Sequence, residues 1–111
     1  MTDRELLELA AKAVGIEFSW INGDGARLDR KPGVMQPYVR WNPLTDDGDA
    51  LRLAVKLRLV VDIGGVAPTH ERIYVGGLEG YLAHEPTGAD IDAATRRAIT
   101  RAAAEIGRAM K

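Results

Sequence analysis

Between residues 25 and 41, four cations (Arg27, Arg30, Lys31 and Arg40) stand against one acid, Asp29, a local excess of three positive charges. Tyr38 and Trp41 are interleaved with them, and Trp20 lies just upstream. Cationic groups supply charge for a phosphate and aromatic faces supply stacking for a base. A nucleotide or single-stranded nucleic-acid site uses this combination. The expected ligand-binding set is therefore Trp20, Arg27, Arg30, Lys31, Tyr38, Arg40 and Trp41, with help from Arg72. The competing account is a solvated loop whose aromatic rings turn inward.

Other residues carry less. Thr69-His70-Glu71 and Ala83-His84-Glu85 each place a histidine beside a glutamate, and two such segments could share a metal if they paired as strands. Neither has the spacing of a zinc motif, and adjacent strand residues point to opposite faces, so surface residues are the simpler expectation. Ser19 is the only serine and has no Gly-x-Ser-x-Gly elbow around it. Asp46, Asp47 and Asp49 lack calcium-loop spacing and suit the positive end of a helix. The glycines of Asn22-Gly23-Asp24-Gly25 and Gly76-Gly77-Leu78-Glu79-Gly80 match turns better than a phosphate loop. Arg97, Arg101 and Arg108 fall along one stripe, which suits either a partner's acidic surface or a solvent face. No motif asks for a cofactor, and the chain is expected to bind rather than to catalyse.

These residues must be held by the elements around them. Thr2 and Glu5 have capping-box spacing, Leu6, Leu9, Ala10, Ala13 and Val14 follow at helical spacing, and Gly15 ends the helix. Residues 16–21 read as a strand, 22–36 as a loop or loose hairpin, and Tyr38-Val39-Arg40-Trp41 as a short strand. Pro43 ends that strand, and Thr45 or Asp46 caps a helix over about 47–57. Strands follow at 59–63 and 72–75, a weak edge strand at 78–84, and Asp90 caps a long final helix. The order α-β-β-α-β-β-α predicts an α+β domain, with a mixed or antiparallel sheet of four to five strands covered by three helices.

The 111 residues suffice for one hydrophobic core, so a single domain over 1–111 is expected. A net charge of -1 provides no global field toward nucleic acid or membrane. The absence of cysteine removes disulfides, thiolate ligands and a cysteine nucleophile together. No apolar run approaches the roughly 20 residues a membrane helix needs, and the charged N-terminus is not a secretory signal. A cytoplasmic location without membrane attachment follows as the expectation.

The run Trp41-Asn42-Pro43-Leu44-Thr45-Asp46, with Ala50 and Val55 following, resembles the core of the phage ABA-sandwich domain family. Members combine that motif with a downstream segment of the Arg-Ala-Ile-x-Arg-Ala-Ala type, matched here by Arg97-Ala98-Ile99-Thr100-Arg101-Ala102-Ala103. The likeness spans residues 41–57 and 93–107. It implies a phage or prophage origin and a layered α-β-α sandwich, and it implies no activity. The motif also reads as a strand-to-helix corner with Trp41 in the core. The expected function is an accessory binding protein of the infected host's cytoplasm, an anti-defence protein that sequesters a nucleotide-like signal. The alternative is a protein–protein inhibitor of a host defence enzyme. An alanine-rich face on the last helix suits close packing on its own sheet or on a second copy, and the area a second copy would bury for a chain of 111 residues makes a homo-oligomer the expectation.

Overall fold

A computed structural model describes residues 1–28, 33, 38–63 and 72–110. Three helices, α1 (Asp3–Val14), α2 (Asp47–Lys56) and α3 (Ile91–Ala109), enclose two groups of three strands in chain order. The first group is β1 (Phe18–Ile21), β2 (Asp24–Leu28) and β3 (Tyr38–Arg40); the second is β4 (Val60–Asp62), β5 (Arg72–Gly77) and β6 (Gly80–Pro86). Each group is its own antiparallel meander, ordered β1-β2-β3 and β4-β5-β6.

The helices start where their caps dictate. Thr2, Asp46 and Asp90 each accept a backbone N–H three residues on, and Gly15 closes α1 in the left-handed region at φ 72°. Asn22 and Gly23, at φ 51° and 82°, form the tight turn that joins β1 to β2. The α+β class is as expected. The single sheet of four or five strands is not, because residues 24–28 pair with both β1 and β3 and complete a sheet separate from the second meander. The weak edge strand expected at 78–84 is a seven-residue strand, β6.

One buried cluster draws on all three helices, on Ile73, Val75 and Ala83 of the second sheet, and on Trp41. The long helix α3 is its spine, packing against α1, α2, β5 and β6. Its alanines make this possible. Ala98, Ala102, Ala103 and Ala104 are fully buried, and small side chains let neighbouring backbones come close. The alanine-rich face offered to a second copy is thus consumed within the chain. No helix among the described residues is long and apolar enough to cross a membrane.

Candidate ligand-binding face

The register of the first sheet decides where the expected ligand residues go. Cross-strand partners share a face. Leu28 opposes Tyr38 and Ala26 opposes Arg40, while Phe18 opposes Arg27 and Trp20 opposes Gly25. Alternation along each strand therefore puts Tyr38 and Arg40 on one face, and Arg27 and Trp20 on the other. Tyr38 and Arg40 line an open concavity of about 380 Å³, where Arg40 is ion-paired to Asp24 at 3.2 Å. Arg27 lines a smaller hollow of about 210 Å³ with Trp41, Asp49, Arg52 and Lys56.

Trp20 is engaged within the fold. Its indole N–H donates to Glu8 Oε1 at 2.8 Å, and the Arg4 guanidinium lies 4.6 Å above the ring. Trp41 is only 2% exposed, and its ring meets Phe18 edge-on at 5.6 Å. It has no face left for a ligand. Arg30 and Lys31, like His70 and Glu71, lie outside the described residues. Among the described residues the basic and aromatic stretch is thus divided between the two faces of its sheet, Tyr38 and Arg40 on one and Trp20 and Arg27 on the other.

The Trp-Asn-Pro segment is a corner. Trp41 N–H donates to Gly25 O at 2.9 Å, Asn42 Oδ1 accepts from Leu44 N–H at 3.0 Å, and Pro43 is fully buried. Asp49, from the first turn of α2, accepts the Asn42 N–H at 3.0 Å and pairs with Arg52 at 2.7 Å. The acids at this helix start are caps and anchors. Among the described residues no group of three or more His, Asp or Glu side chains is placed to hold a metal. The arginine stripe of α3 is similarly committed: Arg101 pairs with Glu85 at 2.6 Å, Arg97 with Asp3 at 2.9 Å, and Arg108 with Glu105 at 3.6 Å.

Arg72 leads to a different surface. In the second sheet Ile73 and Val75 are fully buried, facing the core cluster. Their neighbours Arg72 and Tyr74 therefore face away from it. Tyr74 opposes His84 on β6 and Asp62 on β4. A bulge then does something that alternation alone would not. Val75 opposes Ala83 and Gly76 opposes Tyr81, so β6 advances two residues while β5 advances one. That extra residue brings Tyr81 to the same face as His84, three positions away.

The result is a row of rings. Tyr74 is 5.1 Å from Tyr81 and 5.6 Å from His84, both tilted. Tyr81, 53% exposed, donates its hydroxyl to Asp62 Oδ2 at 3.2 Å. Arg72 Nε donates to His84 Nδ1 at 2.9 Å. The Tyr81 phenol is pushed above the ordinary tyrosine value by desolvation, then by its hydrogen bond to Asp62 and by the charges of Asp62 and Tyr74.

This face offers flat π-surfaces at the spacing of a sheet, a guanidinium at one end and a carboxylate at the other. It can stack a planar ring and hydrogen-bond its edge. Of the residues expected from sequence, it contains Arg72 alone. Tyr74, Tyr81 and Asp62 went unmarked, and His84 was weighed only as a metal ligand. Their only sequence signal was the alternation of Arg72 with Tyr74, and the bulge hides the rest. Set beside known protein families, curated proteins and solved structures, the chain matches none of them.

Proposed function

We propose that the protein captures a small nucleotide-like ligand on the open face of β4-β5-β6. The base would stack on Tyr74 and Tyr81, its edge would meet His84 or Asp62, and the phosphate would meet Arg72. The single observation that carries this reading is the Tyr81–Tyr74–His84 row on the sheet face turned away from the core, with Arg72 bonded to its end. A simpler account is a cross-strand aromatic ladder that only stabilises the sheet. It accounts for the row and for the Arg72–His84 bond; the ligand reading differs in giving the guanidinium a phosphate to meet as well.

The resemblance to the phage ABA-sandwich family supports a biological setting: a phage or prophage accessory protein, acting in the host cytoplasm, that withholds a nucleotide signal from a defence system. The layered sandwich belongs to the same proposal, and the packing of α3 on β5 and β6 supports it. The second reading is an inhibitor of a host defence enzyme. It is favoured by the exposed apolar side chains of α2, Leu51 and Val55.

The test is an amide NMR titration with the four ribonucleoside monophosphates, and with ribose 5-phosphate as a control lacking the base. Shifts should centre on Arg72, Tyr74, Tyr81 and His84, and the control should bind far more weakly. Stacking contributes about 1–3 kcal/mol per base, so Tyr74→Ala should weaken binding roughly 5- to 150-fold. Shifts centred on Tyr38 and Arg40 would move the site to the first sheet. No shifts with any nucleotide would end the ligand reading in favour of the inhibitor.

A further inference from the structure

The smaller hollow, of about 210 Å³, lies between α2 and β2. Asp49, Arg52 and Lys56 recur at steps of three and four, so one flank of α2 carries all three. Arg27 joins them in the lining from β2. Three cations against one carboxylate leave the hollow a local excess of two positive charges. Val14, Trp41 and Leu53 complete much of the lining and are buried. The charges therefore act beside an apolar floor, where a charge pair is stronger than in open water.

Only one of the three cations is answered from within the fold. Arg52 is held by Asp49 at 2.7 Å, with Asp46 further off at 3.9 Å and outside the lining. Asp49 is fully committed, since its other oxygen accepts the Asn42 N–H. Among the described residues neither Arg27 nor Lys56 makes an ion pair. Arg52 and Lys56, like charges four apart on a helix, also repel each other unless an anion sits between them. An excess of two matches a phosphate group, whose charge near neutral pH is about −1.5 to −2. A single carboxylate would answer half of it. Guanidinium forks grip phosphate oxygens in pairs, and lysine adds a point charge. The size agrees. Pockets for drug-sized ligands run to about 300–1,000 Å³, so a hollow of about 210 Å³ suits a phosphate with a small group attached rather than a whole nucleotide. Trp41, buried and edge-on to Phe18, offers no face to a base.

We infer that the hollow between α2 and β2 binds a phosphate dianion, free or at the end of a small phosphomonoester, through Arg27, Arg52 and Lys56. This site is separate from the aromatic sheet face and does not depend on it. The test is an amide NMR titration with inorganic phosphate at constant ionic strength, with acetate as the singly charged comparison. Phosphate should give saturable shifts centred on Arg27, Arg52 and Lys56, and acetate should bind at least about fivefold more weakly. Lys56→Gln and Arg27→Gln should each weaken phosphate binding roughly tenfold, the loss of one charge-assisted contact. Circular dichroism verifies folding, and if Arg27→Gln disturbs it, the exposed Lys56→Gln carries the test. Ribose 5-phosphate then separates the two sources. Binding as tight as that of inorganic phosphate assigns the site to a phosphomonoester, and much weaker binding assigns it to the free ion. In either case its shifts at Arg27 and Lys56 should come without shifts at Tyr74 and Tyr81, so this site and the sheet face succeed or fail separately. Shifts that never saturate, that acetate reproduces at equal concentration, or that persist unweakened in Lys56→Gln overturn the inference.

Discussion

Gly107 of α3 lies directly against the backbone of Leu9 in α1, so that a Cβ built on the glycine would overlap the Leu9 carbonyl oxygen. The two longest helices cross at this point, and their closeness is what buries Ala102, Ala103 and Ala104 together with Ala10 and Ala11. Glycine inside a helix ordinarily costs about 1 kcal/mol relative to alanine. Here the balance reverses, because the neighbour that must yield is backbone rather than a flexible side chain. Gly107→Ala is expected to destabilise the fold by about 1–3 kcal/mol, in the range of overpacking substitutions. Urea denaturation checks it, and a variant more stable than the wild type would show that the helices part at no cost.

Asp49→Ala should be costly for a different reason. The buried carboxylate is the acceptor for the Asn42 N–H and the partner of Arg52. Removing it leaves a donor at the Trp-Asn-Pro corner without a partner, a loss of about 1–3 kcal/mol. Asp49→Asn keeps one carbonyl acceptor in the same place and should lose less. Equal midpoints for the two variants in thermal unfolding would mean that the carboxylate matters to the corner only through its charge.

Arg40→Ala separates the two sheets. The ion pair of Arg40 with Asp24 is highly exposed, at 80% and 59%, so its loss should change stability by less than about 1 kcal/mol. Nucleotide binding should be untouched, because Arg40 lies on the first sheet and the proposed site on the second. Binding lost in Arg40→Ala while kept in Arg72→Ala would return the site to the basic stretch of residues 25–41.

The helices were legible because each boundary is a local event, whereas β2 lies in a stretch expected to be a loop or loose hairpin. Thr2, Asp46 and Asp90 are short polar side chains at the distance that lets them cap, and Gly15 is free to turn left-handed. The number of sheets was not legible, since it depends on whether residues 24–28 find partners on both sides. Asn22-Gly23 announces the turn before that strand, but nothing local announces β3 as its second neighbour.

The site was less legible than the fold, for a reason of register. Arg27, Arg40 and Trp41 are close in sequence and share a composition that suits nucleotides, yet strand alternation turns Arg40 to the face opposite Arg27, and Trp41 is buried. Tyr74, Tyr81 and His84 are spread over eleven positions and meet only through pairing. The residue that could have revealed them is Tyr81, and strict alternation from His84 would assign it to the core face. One bulged residue reverses that assignment.

The contact between Tyr81 and Asp62 gives the face a titration of its own. Desolvation first, then the hydrogen bond to Asp62 and the nearby charges, hold the Tyr81 phenol above its ordinary value. The folded state therefore binds this proton more tightly than the unfolded chain does. Its contribution to stability is complete below the unfolded tyrosine pKa of about 10, and it is lost as pH rises through the higher folded value. Subtracting the phenolate absorbance titration of Tyr81→Phe from that of the wild type isolates this one group. The difference curve is expected to have its midpoint above the ordinary value. Asp62→Asn should lower that midpoint without restoring the ordinary value, because desolvation, the first of the causes, survives the substitution. A bound base would cover the ring further and raise the midpoint again, so the same curve recorded with a saturating ribonucleoside monophosphate reports on the stack directly. A midpoint that the nucleotide leaves unmoved would place any bound base away from Tyr81.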